Sequence, residues 1–170
     1  ATRRHTNTGI IPFFIQLKNY RASFADLIDF IIFEISSLFS GISRERMIAI
    51  LESGNGLLLF DGLDEISQET AVSFQSALDA FINLYMNNQF IISSRPYGNF
   101  SAFTRFTVVN LKSFSKAQSL ELIDKLDFRS DMPEIKSKFR KELDLRLYWS
   151  HHGFSDNPLL LTIMLMTFEE

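Results

Sequence analysis

Residues 57–66 read LLLFDGLDEI, and no other stretch constrains the fold of this chain as tightly. A continuous apolar run from Leu57 to Phe60 predicts a strand buried on both faces, as in a parallel sheet. Asp61 then falls at the strand's carboxyl end, where open α/β sheets place their ligands. Gly62 permits a tight turn and leaves room beside it, and Asp64 and Glu65 follow on the same tip. Carboxylates this close repel one another, and a hard cation would relieve them. Mg²⁺ suits such oxygen ligands, because it takes one or two carboxylates together with phosphate oxygens. The plain alternative is a solvated turn after a buried strand.

Bulk properties narrow the classes. A chain of 170 residues with 46% hydrophobic and 22% charged side chains is long enough for a sizeable core and ordinary for a globular protein. Eighteen phenylalanines point to an aromatic core, or to a surface meant to be covered. A net charge of −3 argues against a broad nucleic-acid footprint. Cysteine is absent, which excludes disulfides and thiolate zinc sites and fits a reducing compartment. No stretch approaches the roughly 18 apolar residues that span a membrane. The basic start, Arg3, Arg4 and His5, leads into no signal-peptide core. The expected location is the cytoplasm.

Around the acidic tip the chain alternates strands and helices. Residues 10–17 make a strand candidate in which Pro12 favours an edge or a first position. Ser23 is expected to cap a helix over 24–39, with Asp26 at the reciprocal place in the capping box. Leu27, Ile28, Ile31, Ile32, Ile35, Leu38 and Phe39 recur there at helical spacing. A shorter helix over 43–52 carries Met47, Ile48 and Leu51 and stops at the Ser-Gly-Asn-Gly of 53–56. Those glycines make no phosphate loop, since no lysine and hydroxyl follow at the needed spacing.

Ser67 is placed to cap a helix reaching about Met86, with Val72, Leu78, Phe81, Ile82 and Tyr85 on its inner side. Asn87 and Asn88 break it, and QFIISSRP over 89–96 forms another short strand ending in polar residues. A helix between two short apolar strands is the parallel βαβ pattern, so Arg95 should emerge on the same sheet edge as Asp61. Residues 106–111 read as a third such strand, followed by a helix from Lys116 to about Leu126. A loop over 129–133 leads to a helix opened by Pro133. The charges of 134–149 alternate in sign, as on a solvated helical face. His151 and His152 are adjacent, a weak metal signal. Asp156 or Asn157 can cap a last apolar helix, with Pro158 in its first turn.

Three of these stretches carry a family resemblance. LLLFDGLDE at 57–65 resembles the extended Walker B motif of the NACHT family, a branch of the STAND class of P-loop NTPases, without departure. IISSRP at 91–96 resembles that family's sensor 1 strand, and NPLLL at 157–161 resembles a motif of its helical subdomain. PFFIQLK at 12–18 is similar to the strand after the P-loop helix, and 106–115 to the edge strand entering the helical lid. The resemblance implies an α/β fold: a three-layer P-loop NTPase-like parallel sheet over 1–112, incomplete at its first strand, followed by a helical lid subdomain over 113–170. It implies that Asp61 holds Mg²⁺, directly or through water, and that Asp64 and Glu65 polarise the attacking water. Arg95 would reach the γ-phosphate, for which a planar guanidinium is suited. Pro158 would pack on the adenine base.

The sequence contains no G-x-x-x-x-G-K-[ST], the loop that cradles phosphates. It reads as the back part of a longer NACHT module, beginning just after that loop, and weak or no ATP binding is expected of these residues alone. The implied function is an ATP-binding and hydrolysing signalling switch, whose ATP/ADP exchange controls self-oligomerisation and effector domains on the same chain. A non-catalytic interaction module of the same fold is one alternative. A metal-dependent phosphodiesterase using Asp61, Asp64 and Glu65 is a weaker one, because two-metal sites draw carboxylates from several elements.

Overall fold

The computed structural model describes residues 9–37, 41–96, 100–129 and 132–168. Two compact units divide at Val108 and Val109.

The first unit is built on parallel strands in the order β1 (Ile11–Gln16), β2 (Gly56–Asp61), β3 (Gln89–Ile92). The apolar run therefore becomes the central strand, and β1 with Pro12 takes an edge. Helices α1 (Leu27–Ile35) and α2 (Arg44–Glu52) join β1 to β2, and α3 (Gln68–Leu84) joins β2 to β3. In-register partners share a sheet face, so Phe13, Leu58 and Phe90 lie on one side, with Ile15, Phe60 and Ile92 beyond them. Phe13, Ile15, Leu58 and Phe60 are buried there among Phe30, Ile31, Met47, Leu51, Phe74 and Leu78 of the three helices.

The opposite face corrects the expectation of three layers and of a strand buried on both sides. Phe14 is 49% and Ile91 55% exposed, and Leu57 and Leu59 are only half-buried. Among the described residues the helical side chains gather on one face, which gives two layers. The run 57–60 is uniformly apolar, but in this unit only alternate residues are fully enclosed.

Caps set the helix starts. Asp26, rather than Ser23, caps α1 through the Asp29 amide, 3.0 Å away. The helix starts three residues later than expected because the capping carboxylate, not the hydroxyl, meets a free helical N–H. Leu38 and Phe39, expected at its end, fall outside the described residues. Ser67 caps α3, as expected, while Ser43, read as the first residue of its helix, is instead the cap of α2. Asn88 does more than break a helix. Its Nδ2 donates to the carbonyls of Leu51 (2.7 Å) and Tyr85 (2.9 Å), and its Oδ1 accepts from the Gly56 amide (2.8 Å). A Cβ at position 56 would stand 2.7 Å from that oxygen, so the close approach requires glycine.

Residues 106–111 form no strand, against expectation. Val108, Val109 and Leu111 are 56%, 79% and 98% exposed. An apolar stretch becomes a strand only when a neighbour takes its hydrogen bonds, and among the described residues none pairs with it.

The second unit is helical: α4 (Lys116–Lys125), α5 (Pro133–Glu142), a π-helical turn (Leu143–Leu147), the short α6 (Tyr148–Ser150) and α7 (His152–Ser155), and α8 (Pro158–Met166). Ile123, Phe139, Leu143, Tyr148, Leu161 and Leu165 form its core. The Tyr148 hydroxyl donates to the Phe114 carbonyl (2.9 Å), and the buried Ser119 hydroxyl to that of Ser155 (2.7 Å). Ion pairs such as Lys116–Asp144 (2.7 Å) and Arg140–Asp124 (2.6 Å) lie on the solvated surface, as the alternating charges suggested. Among the described residues no helix is long and apolar enough to cross a membrane.

Candidate functional site

The parallel arrangement of β2 and β3 delivers two tips to one carboxyl edge. Asp61 is the last residue of β2, and the segment 93–95 leaves β3 beside it. The ladder continues past the strands: the Ser93 amide donates to the Phe60 carbonyl (2.8 Å), and the Leu63 amide to the Ser93 carbonyl (2.9 Å). Between them Gly62 turns the chain with φ +80°, a conformation that disfavours any side chain. A Cβ there would also meet Glu65 Cδ at 3.1 Å, so Glu65 folds back over a position that must stay bare. Residues Leu63–Glu65 close a single 3-10 turn, which spaces the acids around the tip instead of stacking them.

The acids are not equivalent. The Ser93 hydroxyl donates to Asp61 Oδ1 and accepts from the Gly62 amide at 3.1 Å, so this serine fixes the orientation of the first carboxylate. Asp64 Oδ1 accepts from the Arg95 amide (3.0 Å) and the Ser94 hydroxyl (3.4 Å), while Oδ2 faces Arg95 Nε at 3.5 Å. The Arg95 amide, then the residue's own amide, the Arg95 guanidinium and the Ser94 hydroxyl hold the Asp64 carboxyl below its ordinary value, against a smaller opposing effect of burial. For Glu65 no side-chain partner is found among the described residues. Arg95 itself is 76% exposed.

Asp61, Gly62, Asp64, Glu65, Ser93, Ser94 and Arg95 line one open hollow. Its rim is carboxylate on one side and guanidinium on the other, a mixed field suited to an anion carried with a cation. No protein-family model matches this chain, and no curated protein matches it.

Four of the five residues singled out from the sequence therefore meet at one edge: Asp61, Asp64, Glu65 and Arg95. Pro158 belongs to the second unit, where it is exposed in the first turn of α8. Asn157 caps that helix through the amides of Leu159 (3.0 Å) and Leu160 (3.2 Å). Asp156, the other candidate cap, is instead buried, with its carbonyl accepting from the Phe114 amide (2.8 Å). Ser93 was missed as a site residue. Its signal was present: it lies one step past β3, as Asp61 lies one step past Phe60.

Among the described residues no three acidic or histidine side chains converge as a metal cage. His151 and His152 join no such group, and the convergent carboxylates that a two-metal phosphodiesterase needs are not found there. The donor set fits a single hard cation of the Mg²⁺ type, in which Asp61 supplies one oxygen and phosphate or water the rest.

Proposed function

We propose that this chain carries the hydrolytic edge of a NACHT-like nucleotide switch, which binds and hydrolyses ATP and uses ATP/ADP exchange to control its own oligomerisation. The observation that carries this reading is the convergence, at the ends of two adjacent parallel strands, of a serine-oriented aspartate, a second acid pair and an exposed arginine. The family resemblance adds the order of motifs along the chain.

In this reading Asp61 holds Mg²⁺, and Ser93 keeps its carboxylate turned toward the hollow. Mg²⁺, when bound, supplies the charge that neutralises phosphate oxygens. Arg95 presents donors to the terminal phosphate. Glu65 orients water and accepts its proton. The resemblance alone assigns the adenine base to Pro158 and sensor and effector domains to the same chain; a cytoplasmic location is proposed from the lack of cysteine and of a signal-peptide core.

Calorimetry of Mg-ATP and Mg-ADP with the intact natural protein tests this. Asp61→Asn should remove the Mg²⁺ dependence and weaken Mg-ATP binding by about tenfold or more, since one first-hand oxygen charge is lost. No nucleotide binding by the wild-type protein would overturn the reading in favour of a non-catalytic interaction module.

A further inference from the structure

We propose that Asp64 is a positioning residue that aims Arg95, and that the task of handling water falls to Glu65 alone. The inference deepens the nucleotide-switch reading and rests on it.

Adjacent acids on one turn invite the view that they share one task, but the structure separates them. Both oxygens of Asp64 face the chain leaving β3: one accepts from the Arg95 amide and the Ser94 hydroxyl, and the other faces Arg95 Nε. The contact holds the arginine at its backbone and at the near side of its guanidinium. Nη1 and Nη2 show no partner among the described residues, which suits a group meant to donate two hydrogen bonds to an anion. A carboxylate whose oxygens are engaged in this way has little to offer a water molecule. Glu65, exposed like Asp64, differs in its contacts: it lies over Gly62 and has no side-chain partner among the described residues.

Arg95 is otherwise unsupported. At 76% exposure its side chain is free to sample many rotamers. Holding the near end shortens that search, and the same carboxylate can receive the guanidinium back when no phosphate is present. Asp64 thereby links the acidic tip of β2 to the reporter at the tip of β3.

The test compares Asp64→Asn, Asp64→Ala, Glu65→Gln and Arg95→Ala in the intact natural protein, with fluorescent ATP and ADP analogues, single-turnover hydrolysis, and NMR of the Arg95 amide and Nε–H. The aspartate variants should lose ATP-over-ADP preference by about tenfold, as Arg95→Ala does, and the double variant Asp64→Ala/Arg95→Ala should lose no more than either alone. Asn can still accept from the Arg95 amide, so Asp64→Asn should fall between wild type and Asp64→Ala. Glu65→Gln should keep the preference and lose turnover. If Asp64→Asn instead keeps the preference and loses turnover, Asp64 is a water-handling acid and the inference falls. Arg95 resonances unmoved by Asp64→Asn in a wild-type protein that binds nucleotide would also overturn it. Absence of nucleotide binding in the wild type would remove the switch reading itself, and with it the purpose assigned to this contact.

Discussion

Arg44 and Arg95 each stand beside aspartates, and the first unit holds them in different ways. Arg44 opens α2 and donates through Nη1 to Asp26 (3.1 Å) and to Asp29, and through Nη2 to Asp26 again. Asp26 is also the cap of α1. One guanidinium thus ties the starts of two helices, and its side chain is 39% exposed. Arg95 is gripped at its amide and Nε, is 76% exposed, and projects from an irregular segment at the end of a strand. The first arginine has its fork filled by its own protein; the second has its fork left over. Saturation suits an arginine that serves the fold; guanidinium tips with no partner among the described residues are what the proposed contact with a phosphate needs.

The contrast can be broken most directly at Asp26. Asp26→Ala removes a helix cap and one arm of the ion pair together, and should cost about 1–2 kcal/mol of stability, most of it from the cap, because half-exposed pairs are screened. A urea titration reads this as a lower midpoint with an unchanged slope. If the midpoint holds, Arg44 and Asp26 are surface ornaments and the comparison collapses.

The acid limb gives the next largest effect. The Arg44 hydrogen bond, more than any other influence, holds Asp26 below its ordinary value of 3.8. A carboxyl lowered in the folded state stabilises the protein above its unfolded value and loses that contribution as pH falls through the folded one. The urea midpoint should therefore decline below about pH 4 in the wild type. Arg44→Ala should flatten that decline most; Arg95→Ala, which leaves the backbone amide on Asp64 in place, should change it less.

The smallest stability effect belongs to Arg95→Ala. Exposed side chains outside packed or capped positions rarely matter to folding, so the urea midpoint should stay put while ATP-over-ADP preference is lost. A clear fall in the midpoint would put Arg95 in the same class as Arg44.

Much of this could be read from the chain. The apolar runs gave β1, β2 and β3 their places, Ser67 marked a helix start, Ser43 and the pair Asp156/Asn157 brought two more to within a residue, and the βαβ rule brought Arg95 to the edge of Asp61. What escaped has physical reasons. Residues 106–111 have strand composition but no neighbour to complete a ladder, and composition carries no information about neighbours. Ser23 and Asp26 are both competent caps, and only the backbone path decides which meets a free amide. The π-helical turn at Leu143–Leu147 has no mark in the local sequence; it lies where Leu143 and Tyr148 enter the core. Spacing also treated Asp64 and Glu65 as one pair, whereas a single 3-10 turn points one toward β3 and leaves the other over Gly62.

Asn88 lies at the far end of the sheet from all of this. By seizing the Gly56 amide where β2 starts and standing next to Gln89 where β3 starts, it acts as the index mark against which the two strands are aligned. β2 has six residues, so at roughly 3.3 Å per step its acidic end lies roughly 17 Å away. A slip of one residue there would set Asp61 against Ile92 or Ser94 and turn the side chains to opposite faces. The meeting of Asp61 with Ser93 is in that sense a measurement taken along the strand, zeroed by one buried amide.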